Sequence, residues 1–433
     1  MFLKNWRKLR IKPVAVFGAG ISGKGVCKLL TYLDWGYRLY DHEGTHFDEE
    51  EAKLCSFVIS SPGFKLNHKW RIIAEKMHIR VISDIDFSSY FINSRIIGIT
   101  GTNGKSTVAT FLAHHWNRLG LKAICAGNIG TPLSECIIKG SDVENIVLEI
   151  SSFQSKDMVF TKLESLLWTN FDEDHLDYHE SVEEYFFSKA KLFNLIDNDK
   201  VFVGRTVSDF AKKIGYELPE GVKVIEADKN KFNLKNSNLF LETYPQRENI
   251  AMISEFLKNE KIQSSEIEKS ISTYQPEPHR LQKIGTIQNA HFWNDSKSTN
   301  FASTLAACKN FDGNVYWIGG GKIKGGKIKE FARNIIPLIN RAFLIGESAP
   351  LLAKIFNKEG LPYAIFNSIE QALIEAYEEV STITNILLSP GFASYDLFKN
   401  FEDRGNCFEK SFLRLKQRIS ITTDKLLNKS FAH

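Results

Sequence analysis

The chain has 433 residues, 43% hydrophobic and 24% charged, with a net charge of +4 and no long basic run. That length suits several domains, the composition is that of a soluble globular protein, and the charge argues against general nucleic-acid binding. The six cysteines (Cys27, Cys55, Cys125, Cys136, Cys308, Cys407) are scattered without a C-x-x-C, so buried thiols in a reducing compartment are expected rather than a disulfide framework.

The opening M-F-L-K-N-W-R-K-L-R-I-K-P is basic but leads into no apolar signal core, and no later run is long enough to span a membrane. A cytoplasmic location is expected. Val14–Phe17 has the apolar pattern of a buried strand. Gly18, Gly20 and Gly23 form a G-x-G-x-x-G opening a helix to about Leu33, and Tyr37–Tyr40 is the next strand, ending at Asp41. Glycine turn, helix, strand and carboxylate make the Rossmann fingerprint: a diphosphate meets the helix N-terminus and Asp41 accepts hydrogen bonds. NAD and a UDP-type nucleotide fit this equally. Phe57–Ile59 and Arg80–Ser83 add strands, the first running into Ser61, Pro62 and Gly63.

Arg95–Thr107 reads R-I-I-G-I-T-G-T-N-G-K-S-T. Its β-branched run is a buried parallel strand. Gly101, Thr102, Asn103 and Gly104 make a tight turn, and Lys105, Ser106 and Thr107 open an amphipathic helix. Backbone N–H groups, a helix N-terminus, a lysine and a magnesium-ligating hydroxyl together suit a polyphosphate. Leu121–Ala126, Ile146–Ile150 and Ser165–Thr169 continue as strands, ending near Asn128, Glu149 and His175, where open α/β sheets gather ligands. A helix from about Val182 carries Lys189 and Lys191. Gln246–Asn259 is helical, and Thr273–Pro278 is a linker.

Beyond His279-Arg280, Asp295-Ser296-Lys297 precedes a helix at Phe301–Lys309. Val315–Ile318 runs into a glycine loop with Lys322 and Lys324. Phe343–Ile345, Tyr363–Phe366 and Ile386–Leu388 are further strands. Each polar candidate also has a plain reading. His175 suits an ordinary loop, Lys189 and Lys191 a solvated helix face, and Asp295-Ser296 a helix cap. His175 and His179 stand four apart, but without H-E-x-x-H or cysteines zinc is not expected. Three α/β domains are expected: 1–93, Rossmann-like; 94–277, a P-loop ATPase type; and 278–433, Rossmann-like again.

Several strings together resemble the Mur ligases. They are G-I-T-G-T-N-G-K-S-T at 98–107, G-N-I-G-T-P at 127–132, E-I-S-S-F-Q at 149–154, D-H-L-D at 174–177, H-R at 279–280, N-D-S-K-S-T-N at 294–300 and L-S-P-G-F-A-S-Y-D-L-F-K-N-F-E-D-R-G at 388–405. The likeness covers nearly the whole chain in order and is greatest to the D-glutamate-adding branch. It implies an ATP-dependent amide ligase of cytoplasmic peptidoglycan precursor synthesis. ATP phosphorylates the carboxylate of UDP-N-acetylmuramoyl-L-alanine, and the amine of D-glutamate attacks the acyl phosphate.

The resemblance implies these roles. Ile21, Ser22, Asp41, Ser61, Pro62, Gly63 and Asn128 hold the UDP-substrate. Gly101, Thr102, Asn103, Gly104, Lys105, Ser106 and Thr107 hold ATP phosphates, with Asn249, Arg280 and Asp295 also on ATP. Ser106, Glu149, His175 and a carbamylated Lys189 ligate magnesium, two ions in all, with Lys191 as the alternative to Lys189. Thr299, Lys324, Ser394 and Phe401 hold D-glutamate, Lys324 being preferred to Lys322. Lys105, Glu149, His175 and Lys189 form the catalytic set. A monomer without nucleic-acid or membrane partners is expected. A ligase adding another amino acid, an inactive nucleotide-binding relative and an NAD oxidoreductase are the competing readings.

Overall fold

In the computed structural model, residues 11–139, 143–176, 178–197, 199–227, 241 and 245–430 are described, from 422 onward as backbone alone. The basic opening residues 1–10 and Asp177 of the D-H-L-D string lie outside them.

Among the described residues the strands build three sheets in chain order. The first has β1 (Val14–Phe17), β2 (Tyr37–Tyr40), β3 (Val58–Ser60) and β4 (Val81–Ser83), all parallel in the order β2-β1-β3-β4. The second has β5 (Arg95–Thr100), β6 (Ala123–Gly127), β7 (Asn145–Glu149), β8 (Ser165–Trp168), β9 (Val201–Gly204) and β10 (Lys223–Ile225). It too is all parallel, ordered β10-β9-β8-β5-β7-β6. The third has β11 (Gln282–Ile287), β12 (Ala290–Asn294), β13 (Asn314–Gly319), β14 (Arg341–Ile345), β15 (Tyr363–Phe366) and β16 (Thr384–Leu388), ordered β11-β12-β16-β13-β14-β15. Only β11 and β12 are antiparallel there.

Continuous apolar runs read from sequence as strands are buried: β1, β7 and β8 have every residue inside. Helices bury an apolar core against each sheet, as parallel strands require, and Ile85 and Ile137 lie where the cores of the first two sheets meet. Strand bounds fall within a residue or two of expectation. The helix expected to carry both lysines ends at Ala190, so Lys191 opens a 3-10 turn, Lys191–Leu195. Strands β10, β11 and β12 and the helix Arg205–Lys213 are additions to the sequence reading.

Contacts gather the described residues into two compact units. One holds the first two sheets and the helices through Tyr274. The other holds the third sheet, from Gln275 onward, together with the described residues of 174–178 and of 234–247.

Candidate active site

In the first unit, β5 delivers the chain to a loop closed by two left-handed glycines, Gly101 at φ 143° and Gly104 at φ 82°. A β-carbon on Gly101 would meet Thr169 Oγ1 at 2.0 Å, and one on Gly104 would meet the Asn249 amide at 2.5 Å. Glycine is therefore required twice over, by conformation and by space. The end of β8 frames the loop. Thr169 Oγ1 donates to Asn103 O at 2.6 Å, and Asn170 Nδ2 to the same oxygen at 3.0 Å. The Asn103 amide donates to Asn170 Oδ1 at 2.8 Å. Thr102 Oγ1 lies 3.2 Å from Tyr185 Oη. Sequence reading passed over Thr169 and Asn170, whose position just past a strand end was the available signal.

Two lysines converge on this loop. Lys105 Nζ donates to the carbonyls of Gly101 and Thr102, each at 2.9 Å. Lys189, only 1% exposed, donates to Gly101 O at 3.0 Å and Thr100 Oγ1 at 3.3 Å, with its ammonium 4.9 Å from the Tyr185 ring. Lys191 points elsewhere, to Lys156 O at 3.0 Å.

Glu149 ends β7 in register with Ile99 of β5 and Gly127 of β6. Its Oε1 accepts from Asn128 Nδ2 at 2.9 Å, while Oε2 is buried without a hydrogen-bond partner. The Thr107 hydroxyl is likewise buried and unpartnered. An unanswered carboxylate oxygen is unfavourable in a buried setting, and a hard divalent cation is the natural complement. Glu149 therefore fits magnesium. His179 is instead packed away, with Nε2 on Ser152 Oγ at 2.9 Å and its ring stacked on Phe153.

At the first sheet, Gly18 has φ 99°, and a β-carbon on Gly23 would meet Gly18 O at 1.8 Å. The Ser61 side chain lies against the same turn, 3.1 Å from where a Gly18 β-carbon would be, and its Oγ is buried without a partner. Ile21 is exposed at the helix start. Ser22 bonds the buried Asp84, whose carboxyl burial pushes up to about 6. Asp41 Oδ1 accepts from the His42 amide at 2.9 Å. Pro62 and Gly63 occupy the turn after Ser61. Sequence reading missed Asp84, which opens a helix and reads there as a first-turn acid.

The second unit holds the other candidates. Asp295 is buried, accepting from the Leu281 amide (3.0 Å), Ser298 Oγ (2.6 Å) and Ser389 Oγ (2.7 Å); burial still raises its carboxyl to about 6. Arg280 binds Glu277 through Nε and Nη2. Lys322 pairs with Glu347 at 2.5 Å, whereas Lys324 stands 5.4 Å over the ring of Tyr395, beside the buried Ser394. Phe401 opens the helix Phe401–Ser430 beneath the Lys297 ammonium, 3.9 Å from its ring, and Thr299 follows in the Ser296–Asn300 turn. His175, at φ 54°, donates its amide to Asp174 Oδ1 at 2.8 Å. Arg404, also unforeseen, is fully buried. It donates to Phe392 O (3.0 Å), Ser296 O (2.9 Å) and Ser296 Oγ (3.1 Å), and burial lowers its guanidinium to about 10. It ties the Ser296 turn to the Ser389–Ser394 loop.

A parallel strand, a glycine loop, a helix opening on Lys-Ser-Thr and a buried carboxylate one strand away define the class: an α/β protein with a nucleotide-phosphate loop. The Mur ligase middle domain matches residues 99–270, the segment that carries this loop. UDP-N-acetylmuramoylalanine–D-glutamate ligase of Rickettsia felis is 34% identical, over 94% of this chain and 98% of its own length. The enzyme of that name from Rickettsia prowazekii is 36% identical, over 82% and 84%. Among solved structures, UDP-N-acetylmuramate-alanine ligase of Thermotoga maritima superposes with a TM-score of 0.56 at 14% identity, over 93% of this chain and 99% of that one, which is a likeness of fold. The chain belongs to the Mur ligase family.

Proposed function

We propose that the protein is an ATP-dependent ligase joining D-glutamate to UDP-N-acetylmuramoyl-L-alanine through an acyl phosphate, in the cytoplasmic stage of peptidoglycan precursor synthesis. The observation that carries the reading is the phosphate loop met by two lysines and flanked by Glu149, whose buried Oε2 has no partner. The full-length likeness to enzymes named for D-glutamate addition selects this ligase from others with such a loop.

The loop amides and Lys105 receive the ATP phosphates, and the start of the helix Lys105–Arg118 adds positive potential. Ser106, Glu149, His175 and Lys189 as its carbamate are the residues that would hold magnesium. Bound there, it would neutralise phosphate charge and polarise the transferring group. Carbamylation would turn the buried Lys189 amine into an anionic oxygen ligand at the end of the loop it already touches. Gly18, Ile21, Ser22, Asp41, the Ser61–Gly63 turn and Asn128 orient the UDP-substrate. Arg280, Asp295 and Asn249 serve ATP, and Thr299, Lys324, Ser394 and Phe401 the incoming glutamate. Lys324 rather than Lys322 is assigned because Lys322 already has a carboxylate partner. Division at 93/94 and 277/278, two magnesium ions and a monomeric state complete the reading.

The test is phosphate release from ATP and UDP-N-acetylmuramoyl-L-alanine with D-glutamate, L-glutamate, L-alanine or meso-diaminopimelate offered in turn. Release only with D-glutamate, and a product heavier by one glutamyl residue, is expected. Release with another amino acid moves the assignment within the family. ATP binding without release with any amino acid overturns the ligase.

A further inference from the structure

The segment that follows Glu149 is pinned to the first sheet at two places. Arg71, on the helix Lys69–Lys76, grips Asp157 with both terminal nitrogens, Nη1 at 2.6 Å and Nη2 at 3.0 Å. Both side chains are nearly buried, at 11% and 9% exposed. The same Nη1 donates to Phe64 O at 3.1 Å, and Phe64 closes the turn that Ser61 begins. One guanidinium therefore joins the turn beside Gly18 to the chain beyond the Ser152–Ser155 helix.

The second pin is Asp86, 1% exposed. Its Oδ2 accepts from the Val159 amide at 2.7 Å. Its Oδ1 accepts from the amides of Phe160 (3.0 Å) and Thr161 (2.9 Å) and from Thr161 Oγ1 (2.7 Å). Four donors on one buried carboxylate satisfy it fully, and the helix Asp84–Ser89 is held through it to the segment that leads into β8. Neither residue belongs to a nucleotide-binding motif, and no such motif needs them.

We propose that Arg71 and Asp157 are positioning residues that, in a strap Asp86 anchors at its far end, act as a ruler between the glycine turn at Gly18 and the carboxylate of Glu149. This rests on the ligase reading, in which one long substrate has its nucleotide at the first sheet and its reacting carboxylate at the phosphate loop. The strap fixes that separation before substrate arrives, so the carboxylate lands within reach of the phosphate. Loosening it leaves each half-site intact but misplaces the ends of the substrate relative to each other, and small misplacements of reacting groups are expensive in rate.

The experiment compares Asp157→Asn and Arg71→Lys with wild type at saturating ATP, D-glutamate and UDP-N-acetylmuramoyl-L-alanine. The expected result is a kcat about 10- to 100-fold lower, with KM for both nucleotides within about threefold and ATP titration unchanged. Lys28→Ala, which breaks the exposed Lys28–Glu135 pair between the same sheets, is the control and keeps wild-type kcat. A lowered melting temperature with wild-type kcat in both variants overturns the proposal, as does a raised KM with kcat unchanged. Should Asp157→Asn fail to fold, Arg71→Lys decides alone. If wild type itself releases no phosphate, the ligase reading fails, and hydrogen exchange then judges the strap. Faster exchange at the Val159–Thr161 amides in Arg71→Lys supports it, and unchanged exchange overturns it.

Discussion

Glu149 keeps a carboxylate oxygen buried and unanswered, a destabilising arrangement unless a cation binds. Glu149→Gln should therefore melt no lower than wild type in EDTA, while magnesium raises the wild-type melting temperature by about 2–4 °C and leaves the variant unmoved. Calorimetry with and without magnesium checks this. Lys189→Ala should lose at least about 100-fold in kcat, whereas Lys191→Ala, whose side chain lies on the Lys156 carbonyl, keeps nearly all activity in the same assay. Asp84 gives a test in pH. Its folded carboxyl titrates at about 6 against an ordinary 3.8 because it is buried, so the fold favours the protonated form. That preference is fully present below about pH 4 and is lost as pH rises to about 6. Urea midpoints should show Asp84→Asn gaining on wild type across that window, with a constant difference on either side.

The phosphate loop was legible as an element because its glycines, Lys105 and the amphipathic helix behind them sit in one short string. What frames it was not. Thr169 and Asn170 lie 66 and 67 residues from Asn103, and nothing local distinguishes them from any polar pair after a strand. The same holds for Asp86, which reads as a helix-start acid until its donors at 159–161 are seen. The hairpin strand β11 escaped because a single one of its residues is fully buried and β11 lies at the sheet edge, where apolar alternation is weak. Gly104→Ala tests the element directly. A left-handed φ costs an L-residue about 1–2 kcal/mol, and the added methyl would strike the Asn249 amide at 2.5 Å. ATP binding by calorimetry should fall at least about tenfold, since a 1.4 kcal/mol loss is already that much.

At the scale of the whole molecule, the division into three successive α/β sheets was readable because each announces its strands with short apolar runs. Their order within the third sheet was not, since β16 inserts between β12 and β13, a pairing no local pattern reveals. The proposed reaction draws ATP to the first unit's loop and assigns Arg280, Asp295 and Lys324 to the second. Exclusion of water from an acyl phosphate then calls for closure. Small-angle scattering should show a smaller radius of gyration with an ATP analogue and UDP-substrate than without them; an unchanged radius counts against closure.

The central place of β16 has a consequence for how the protein is born. On the ribosome, everything in the first two sheets has emerged once Tyr274 clears the tunnel, and those parallel sheets can close at once. The third sheet stays split, with β11-β12 on one side and β13-β14-β15 on the other, until Thr384–Leu388 arrives to join them. Arg404, which ties the Ser296 turn to the Phe392 loop, comes later still. A nascent chain halted before residue 384 should therefore bind nucleotide phosphate while its other half waits, apolar strand edges exposed, for a chaperone or for the end of translation.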